Sequence, residues 1–282
     1  TLLSRLDNKN DDAIIIIQQR LHENDLVGHL LETGEWVHLN LPAIAEEAEY
    51  VPTNENNWKY REVGDLLHPE RESQAILDEL KAQMGSYLFA AQYQQRPAPM
   101  EGNILKWSWF KTYDKAPGRI EGDMVVQSWD PASSTGEDNN WSVCTTWLLR
   151  GTDCFLLDLQ RYQVEFPELV KIATRSAYEW SPNLVIIESV GVGQAMYQQV
   201  RRNVRSPVRY FRPKLDKEAR MIGESPAIEA GYVYIPEDAD WMDEFRNEVI
   251  NFPNGKHDDQ VDSLSQFLFW RRAIRWPGKP LM

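Results

Sequence analysis

The sequence predicts an α/β fold, a mixed β-sheet flanked by helices and opened by an antiparallel hairpin. Three observations predict it. From residue 119 onward, strand-like and helix-like segments follow one another in the order β-β-β-α-β-α-β, and helices then dominate. Two apolar runs, 141–149 and 154–162, flank Arg150-Gly151-Thr152-Asp153, the composition of a tight hairpin turn. Leu184-Val185-Ile186-Ile187 shows no polar alternation, as expected of a strand covered on both faces.

The elements are justified in chain order. Ala13-Ile14-Ile15-Ile16-Ile17 also lacks alternation and is expected to be a central strand. Asn24 or Asp25 can cap a short helix running to residue 31, and residues 36–41 alternate in period two as a second strand does. Residues 61–118 carry a helix near 73–84, then a connector marked by Pro97, Pro99 and Gly102. Its aromatic stretch Trp107-Ser108-Trp109-Phe110 is expected to pack on its neighbours. Beyond it come a strand over 124–130, the hairpin, a helix over 166–180, a strand over 184–188, a helix over 193–202 and a strand over 208–211. A helix over 217–229, a strand over 232–235 and helices over 241–251 and 258–272 complete the pattern, with Val261, Leu264 and Leu268 as the apolar face of the last. The expected segments are 1–60, 61–118 and 119–282.

Composition narrows the function. The 282 residues, 42% of them apolar and with 11 Trp, can fill a core, which excludes global disorder. A formal charge of −13 argues against a basic DNA-coating protein. It leaves room for a nuclease, because a metal site collects carboxylates and DNA contact needs only a local basic stripe. In the hairpin Cys154 would face Leu149 rather than Cys144, so a disulfide is not indicated, and two cysteines fit a reducing compartment. No apolar stretch approaches the roughly 20 residues that span a bilayer and no secretory signal is visible, so a soluble intracellular protein is expected. The chain starts with Thr in mid-pattern, as expected of a fragment or processed product.

Three acidic positions terminate elements of the expected sheet. Asp130 ends one strand, Glu188 ends another, and Asp258, Asp259 and Asp262 open the last helix within an arc of about 100°. If the strand over 124–130 neighbours that over 184–188 and the last helix crosses them, these acids meet. Clustered carboxylates repel and rise in pKa unless a cation neutralises them. Oxygen ligands suit Mg2+ or Mn2+, and two ions about 3.5–4 Å apart can activate a water and stabilise a leaving oxygen in phosphodiester hydrolysis. Each acid has a plainer reading: Asp130-Pro131 as a turn starter, Asp258 and Asp259 as helix caps. Glu188 resists one, since an acid finishing an apolar strand is costly to bury alone. Asp138 and His257 are secondary candidates. Gly191-x-Gly193 is expected to let the chain turn tightly into the next helix.

These residues resemble a known family. Trp129-Asp130-Pro131-Ala132, Ile187-Glu188-Ser189 before a glycine turn, and His257-Asp258-Asp259-Gln260-Val261-Asp262-Ser263 are similar to the nuclease motifs of tailed-phage terminase large subunits. Phe89-Ala90-Ala91-Gln92-Tyr93-Gln94-Gln95-Arg96-Pro97 resembles the junction between that family's ATPase and nuclease, and residues 14–31 resemble the end of its ATPase domain. The resemblance implies a ribonuclease-H-like nuclease at 119–282, a linker at 61–118 and an ATPase remnant at 1–60. It implies metal-dependent cutting of concatemeric double-stranded DNA in the host cytoplasm, with portal protein and terminase small subunit as partners. Asp130, Glu188 and Asp259 would be catalytic, with Asp258 and Asp262 as further metal ligands. One departure is plain: no Gly-x-x-x-x-Gly-Lys-Ser/Thr phosphate loop is present, so ATP hydrolysis is not expected.

Arg201, Arg202, Arg205, Arg209, Arg212, Lys214, Lys217 and Arg220, set against Asp216 and Glu218, make a local excess of six positive charges. Such a stripe can hold phosphates without reading sequence, although a solvated helix face is the plainer alternative. Arg271, Arg272 and Arg275 are weaker candidates. Two other functions compete with the nuclease: a non-catalytic docking module for portal or procapsid, and a junction-resolvase-like enzyme.

Overall fold

The computed structural model describes residues 8, 12–22, 24–54, 56–97, 104–132 and 141–273. They form two compact units, Thr1–Met100 and Glu101–Met282. Residues 61–97 thus share the first unit with the segment before them, and 104–118 belong to the second.

In the first unit, helix α1 (Leu26–Glu32) is capped by Asp25, whose carboxylate accepts from Gly28 N at 2.9 Å and from Arg20 Nε. Strands β1 (Glu49–Asn54) and β2 (Asn57–Arg61) form an antiparallel hairpin that the hydrophobic pattern does not announce. Its residues are mostly exposed and Pro52 interrupts them, so no buried face writes a period into the sequence. Helix α2 (Gln74–Gln92) runs past the expected end at 84 and breaks direction at Gly85, whose φ of 81° is open to glycine. Leu77 and Phe89 pack with Ala43 in a small core. Gln94 clamps Ile44 on both backbone groups, accepting from its N–H at 3.0 Å and donating to its carbonyl at 2.9 Å.

Two expected strands do not form. Residues 13–17 and 36–41 adopt no strand; Ile17 is 93% exposed and Val37 fully so. A central strand needs neighbours to take its backbone N–H and carbonyl groups, and among the described residues no strand pairs with either segment.

The second unit is built on a seven-stranded sheet. In chain order its strands are β3 (Lys111–Tyr113), β4 (Met124–Asp130), β5 (Ser142–Arg150), β6 (Asp153–Tyr162), β7 (Leu184–Glu188), β8 (Val208–Phe211) and β9 (Val233–Pro236). Their spatial order is β3-β9-β6-β5-β4-β7-β8. The hairpin and β4 pair antiparallel, and Leu149 does face Cys154; every other pairing in this sheet is parallel. Edge strand β3 is only three residues long, too short for periodicity to show.

Helices α3 (Phe166–Trp180) and α4 (Gly193–Asn203) cover one face, where Leu169, Ala173, Met196 and Val200 pack on Trp129, Val185 and Ile187. Helix α7 (Asp259–Ala273) crosses the other face over β4 and β5, flanked by α5 (Lys217–Glu229) and α6 (Met242–Asn251). The expected single apolar face of α7 is not what forms: residues 259–268 are buried all round, polar ones included. A helix enclosed by a sheet and two helices has no solvent side, so its polar residues must find partners inside. The aromatics of 107–110 do pack, with Trp107 and Phe110 ringing Phe245 of α6.

Candidate metal centre

The site begins with strand register. Trp129 of β4 pairs with Ile187 of β7 in a parallel ladder, so Asp130 and Glu188 finish neighbouring strands side by side. Adjacent strands lie about 4.8 Å apart. Trp129 and Ile187 enter the α3–α4 core, so alternation sends Asp130 and Glu188 to the opposite face, toward α7.

Helix α7 is locked on that face by a buried polar network. Ser128 Oγ donates to the Ser263 carbonyl and Ser263 Oγ donates to the Ser128 carbonyl, both at 2.9 Å. Thr145 Oγ1 lies 2.8 Å from Ser263 Oγ, and Gln266 Nε2 donates to Ser128 Oγ at 2.9 Å. The ring of Phe267 stacks on Trp147 with centroids 4.4 Å apart. At the start of α7, Glu248 accepts from the backbone N–H groups of Gln260 and Val261 at 2.6 and 2.9 Å. Two otherwise orphaned helix donors are thereby satisfied, and Asp259 and Asp262 are held in the first turn, beside the strand ends.

Gly193 completes the frame. A Cβ there would overlap the Glu188 carbonyl and lie 3.0 Å from Pro131 Cγ, so α4 can start against both strand ends only with glycine. Gly191, at φ 56°, supplies the tight turn before it.

The charges divide into two groups. Burial, then the neighbouring Glu188 and Asp262, push the Asp130 carboxyl well above the usual carboxylate range. Burial also raises Glu188, against the pull of Arg220 and Lys217, and its Oε2 is buried without a hydrogen-bond donor. Burial raises Asp259 too, opposed first by the Trp141 N–H, which donates to Oδ2 at 3.2 Å. Asp262, only 2% exposed, is different. Arg220 Nη2 donates to its Oδ1 at 2.8 Å, and Lys217 Nζ lies 2.5 Å from its Oδ2 and 2.7 Å from Asp258 Oδ1. Burial still lifts Asp262 to about 6.

The predicted residues therefore gather at one place, in two roles. Asp130 and Glu188 form an oxygen-only pair at the strand ends, with an acceptor left open. Such donors suit Mg2+ or Mn2+. Asp258 and Asp262 already hold cations of the chain itself. Among the described residues, no three His, Cys, Asp or Glu side chains stand close enough together to hold a metal ion. Half-buried His257 bears electrostatically on Asp259, while Asp138 and Arg275 lie outside the described residues.

The basic stripe divides likewise. Arg201, Arg202, Arg205, Arg209, Arg212 and Lys214 are exposed, and Arg209 sits on β8, beside β7. Arg220, 3% exposed and bound to Ser265 and Asp262, is withdrawn from any duplex, and Lys217 faces the acids. Their acidic partners lie some 40 residues downstream, beyond the reach of a sequence count. Arg271 is partly buried, donating to the Thr152 carbonyl, and Arg272 pairs with Glu224.

A mixed sheet with carboxylates at the ends of two adjacent parallel strands, and an acid-bearing helix across them, defines a ribonuclease-H-like α/β domain. The chain belongs to the terminase family: the model of the terminase RNase H-like domain matches residues 127–270, from β4 into α7. The large terminase of a thermophilic bacteriophage superposes in two crystal forms. One gives a TM-score of 0.54 at 11% identity, over 70% of this chain and 51% of that one. The other gives 0.51 at 12%, over 71% and 53%. This chain thus spans about half the length of that protein. The large terminase nuclease of a second thermophilic phage, G20c, solved with bound magnesium, gives 0.47 at 15%, over 61% and 98%. No curated protein matches by sequence.

Proposed function

We propose that this chain is the nuclease part of a phage DNA-packaging large terminase, a divalent-metal-dependent endonuclease that cuts concatemeric double-stranded DNA in the host cytoplasm. The observation that carries it is the in-register pair Asp130 and Glu188 at adjacent strand ends, inside the matched family region, with a buried carboxylate oxygen unsatisfied. A bound Mg2+ or Mn2+ would polarise a phosphate oxygen and lower the pKa of a water. The chain's own part is to hold Asp130 and Glu188 on rigid strands, to keep Asp259 in the first turn of α7, and to present exposed arginines to phosphates. Residues 1–60 fit an ATPase remnant, 61–118 a linker and 119–282 the nuclease; portal protein and terminase small subunit would be partners of the longer protein.

The test is nicking and linearisation of supercoiled plasmid with Mn2+ or Mg2+. Asp130→Ala and Glu188→Ala should each lower the rate at least about a hundredfold, the scale on which a lost metal ligand acts, while the chain stays folded. Equal cutting by either variant at matched purity overturns the assignment.

A second reading, a non-catalytic docking module for portal or procapsid, is favoured by one observation: the described acids do not stand as a three-ligand group. Calorimetry separates the two, since no heat of Mn2+ binding and DNA behaviour indifferent to EDTA would select the docking module.

A further inference from the structure

Resting on the nuclease reading above, we infer that Glu248 is a positioning residue of the metal centre. It is a cap that α6 supplies to α7: it occupies the backbone donors that an acid of the first turn would otherwise take, and so keeps Asp259 turned toward the ends of β4 and β7.

Capping either claims the acids of a first turn or leaves them free. Asp258 directly precedes α7, and its carbonyl accepts from Asp262 N at 2.9 Å, as an N-cap residue does. An aspartate there normally turns its carboxylate onto the N–H groups two and three residues on, here those of Gln260 and Val261. Both are already taken. Glu248 Oε1 accepts from Gln260 N at 2.6 Å and from Val261 N at 2.9 Å, and its Oε2 accepts from Gln260 Nε2 at 2.6 Å. Asp258 accordingly accepts from Lys217 Nζ at 2.7 Å, while Asp259 takes the Trp141 N–H and bears electrostatically on Asp130. The capping duty expected of Asp258 and Asp259 thus falls to a residue of another helix.

Glu248 can act as a fixed cap because α6 is itself pinned. Phe245 and Val249 are fully buried, and Phe245 packs among Trp107, Phe110 and Trp241. Only 6% of Glu248 is exposed, so donors released by its loss would need another acceptor close by instead of water. The nearest along the chain is Asp258, and turning it inward redraws the first turn and carries Asp259 off its line to Asp130. Reach, more than charge, is what Glu248 supplies. Gln260 Oε1 is buried without a donor, so Glu248→Gln could keep both backbone bonds and donate to Gln260 once that amide turns over.

The experiment is a calorimetric Mn2+ titration of the whole chain, with thermal melting in EDTA to show that each variant is folded. The native chain should bind Mn2+. Glu248→Ala and Glu248→Asp, the second keeping the charge but a methylene short, should each weaken binding at least about tenfold, the usual scale for a lost partner behind a metal ligand. Glu248→Gln should stay nearest the native affinity. Asp259→Asn should weaken binding on a similar scale, and Glu248→Asp added to it should cost little more, because Glu248 acts through Asp259. Glu248→Asp keeps the test decisive if Glu248→Ala does not fold. Native affinity in Glu248→Asp or in Asp259→Asn, a loss in Glu248→Gln as large as in Glu248→Asp, or losses that simply multiply in the double variant would overturn the role of Glu248 and leave the nuclease reading standing. No Mn2+ binding by the native chain would overturn both.

Discussion

At the scale of single residues, the centre is set by what its neighbours leave room for. Gly193 shows this most directly. Its value lies in the missing Cβ, since a methyl group would enter the space of the Glu188 carbonyl and press on Pro131. Gly193→Ala must therefore push the start of α4 off the ends of β4 and β7. Overpacking of this kind costs about 1–3 kcal/mol. We expect a lower denaturant midpoint with an unchanged slope, and weaker Mn2+ binding through the displaced Glu188. A variant that unfolds like the native chain would show that α4 can adjust freely. The same scale separates Asp130 and Glu188 from Asp262: all are carboxylates on one face, but only the last is satisfied by guanidinium and ammonium groups.

At the scale of elements, α5 and α7 are joined by buried charge. Glu224 of α5, 3% exposed, meets Arg272 Nη2 of α7 at 2.9 Å. Burial pushes its pKa up to about 7, opposed by Arg272 and Arg271. Its folded value thus lies above the ordinary 4.5, and the folded chain holds a proton there that the unfolded chain has lost. The favourable contribution is complete below about pH 4.5 and is lost as pH rises toward about 7. Glu224→Gln removes that dependence, worth at most about 3 kcal/mol. Urea unfolding from about pH 4.5 to about pH 7, the window these two values bracket, should show the variant gaining on the native chain as pH rises. Parallel curves would place the buried charge elsewhere. The amphipathicity expected of α7 gave way for a related reason, since its polar side chains are spent on Ser128, Thr145 and Glu248 instead of on water.

At the scale of the whole molecule, a chain with a net charge of −13 must approach DNA through a restricted surface. On the proposed nuclease reading the six exposed basic residues from Arg201 to Lys214 would supply it, while Lys217 and Arg220 are occupied with acids. Arg209→Ala with Arg212→Ala should weaken duplex binding in EDTA about equally across sequences and reduce the slope of log K against log salt by about 1 per lost phosphate contact. Fluorescence anisotropy over a salt series measures this. An unchanged slope would remove these two residues from the interface.

What could be read from the chain itself was whatever burial writes as a pattern. The second unit shows it: β4, α3, β7, β8 and α5 begin and end where their apolar periods and turn residues place them. The acids at the strand ends were visible because a carboxylate closing an apolar strand is a local contradiction. The first unit marks the limit, since Ile14 to Ile17 read as a buried strand and are not one. A run of apolar residues states a preference, and pairing needs a neighbour that no local pattern names. Tertiary structure alone decided which cation answers which acid. Lys217 and Asp258 are 41 residues apart, and Arg220 and Asp262 are 42. Charge acts through space, so the sequence supplied the charges, and the packing of α5 against α7 determined their partners.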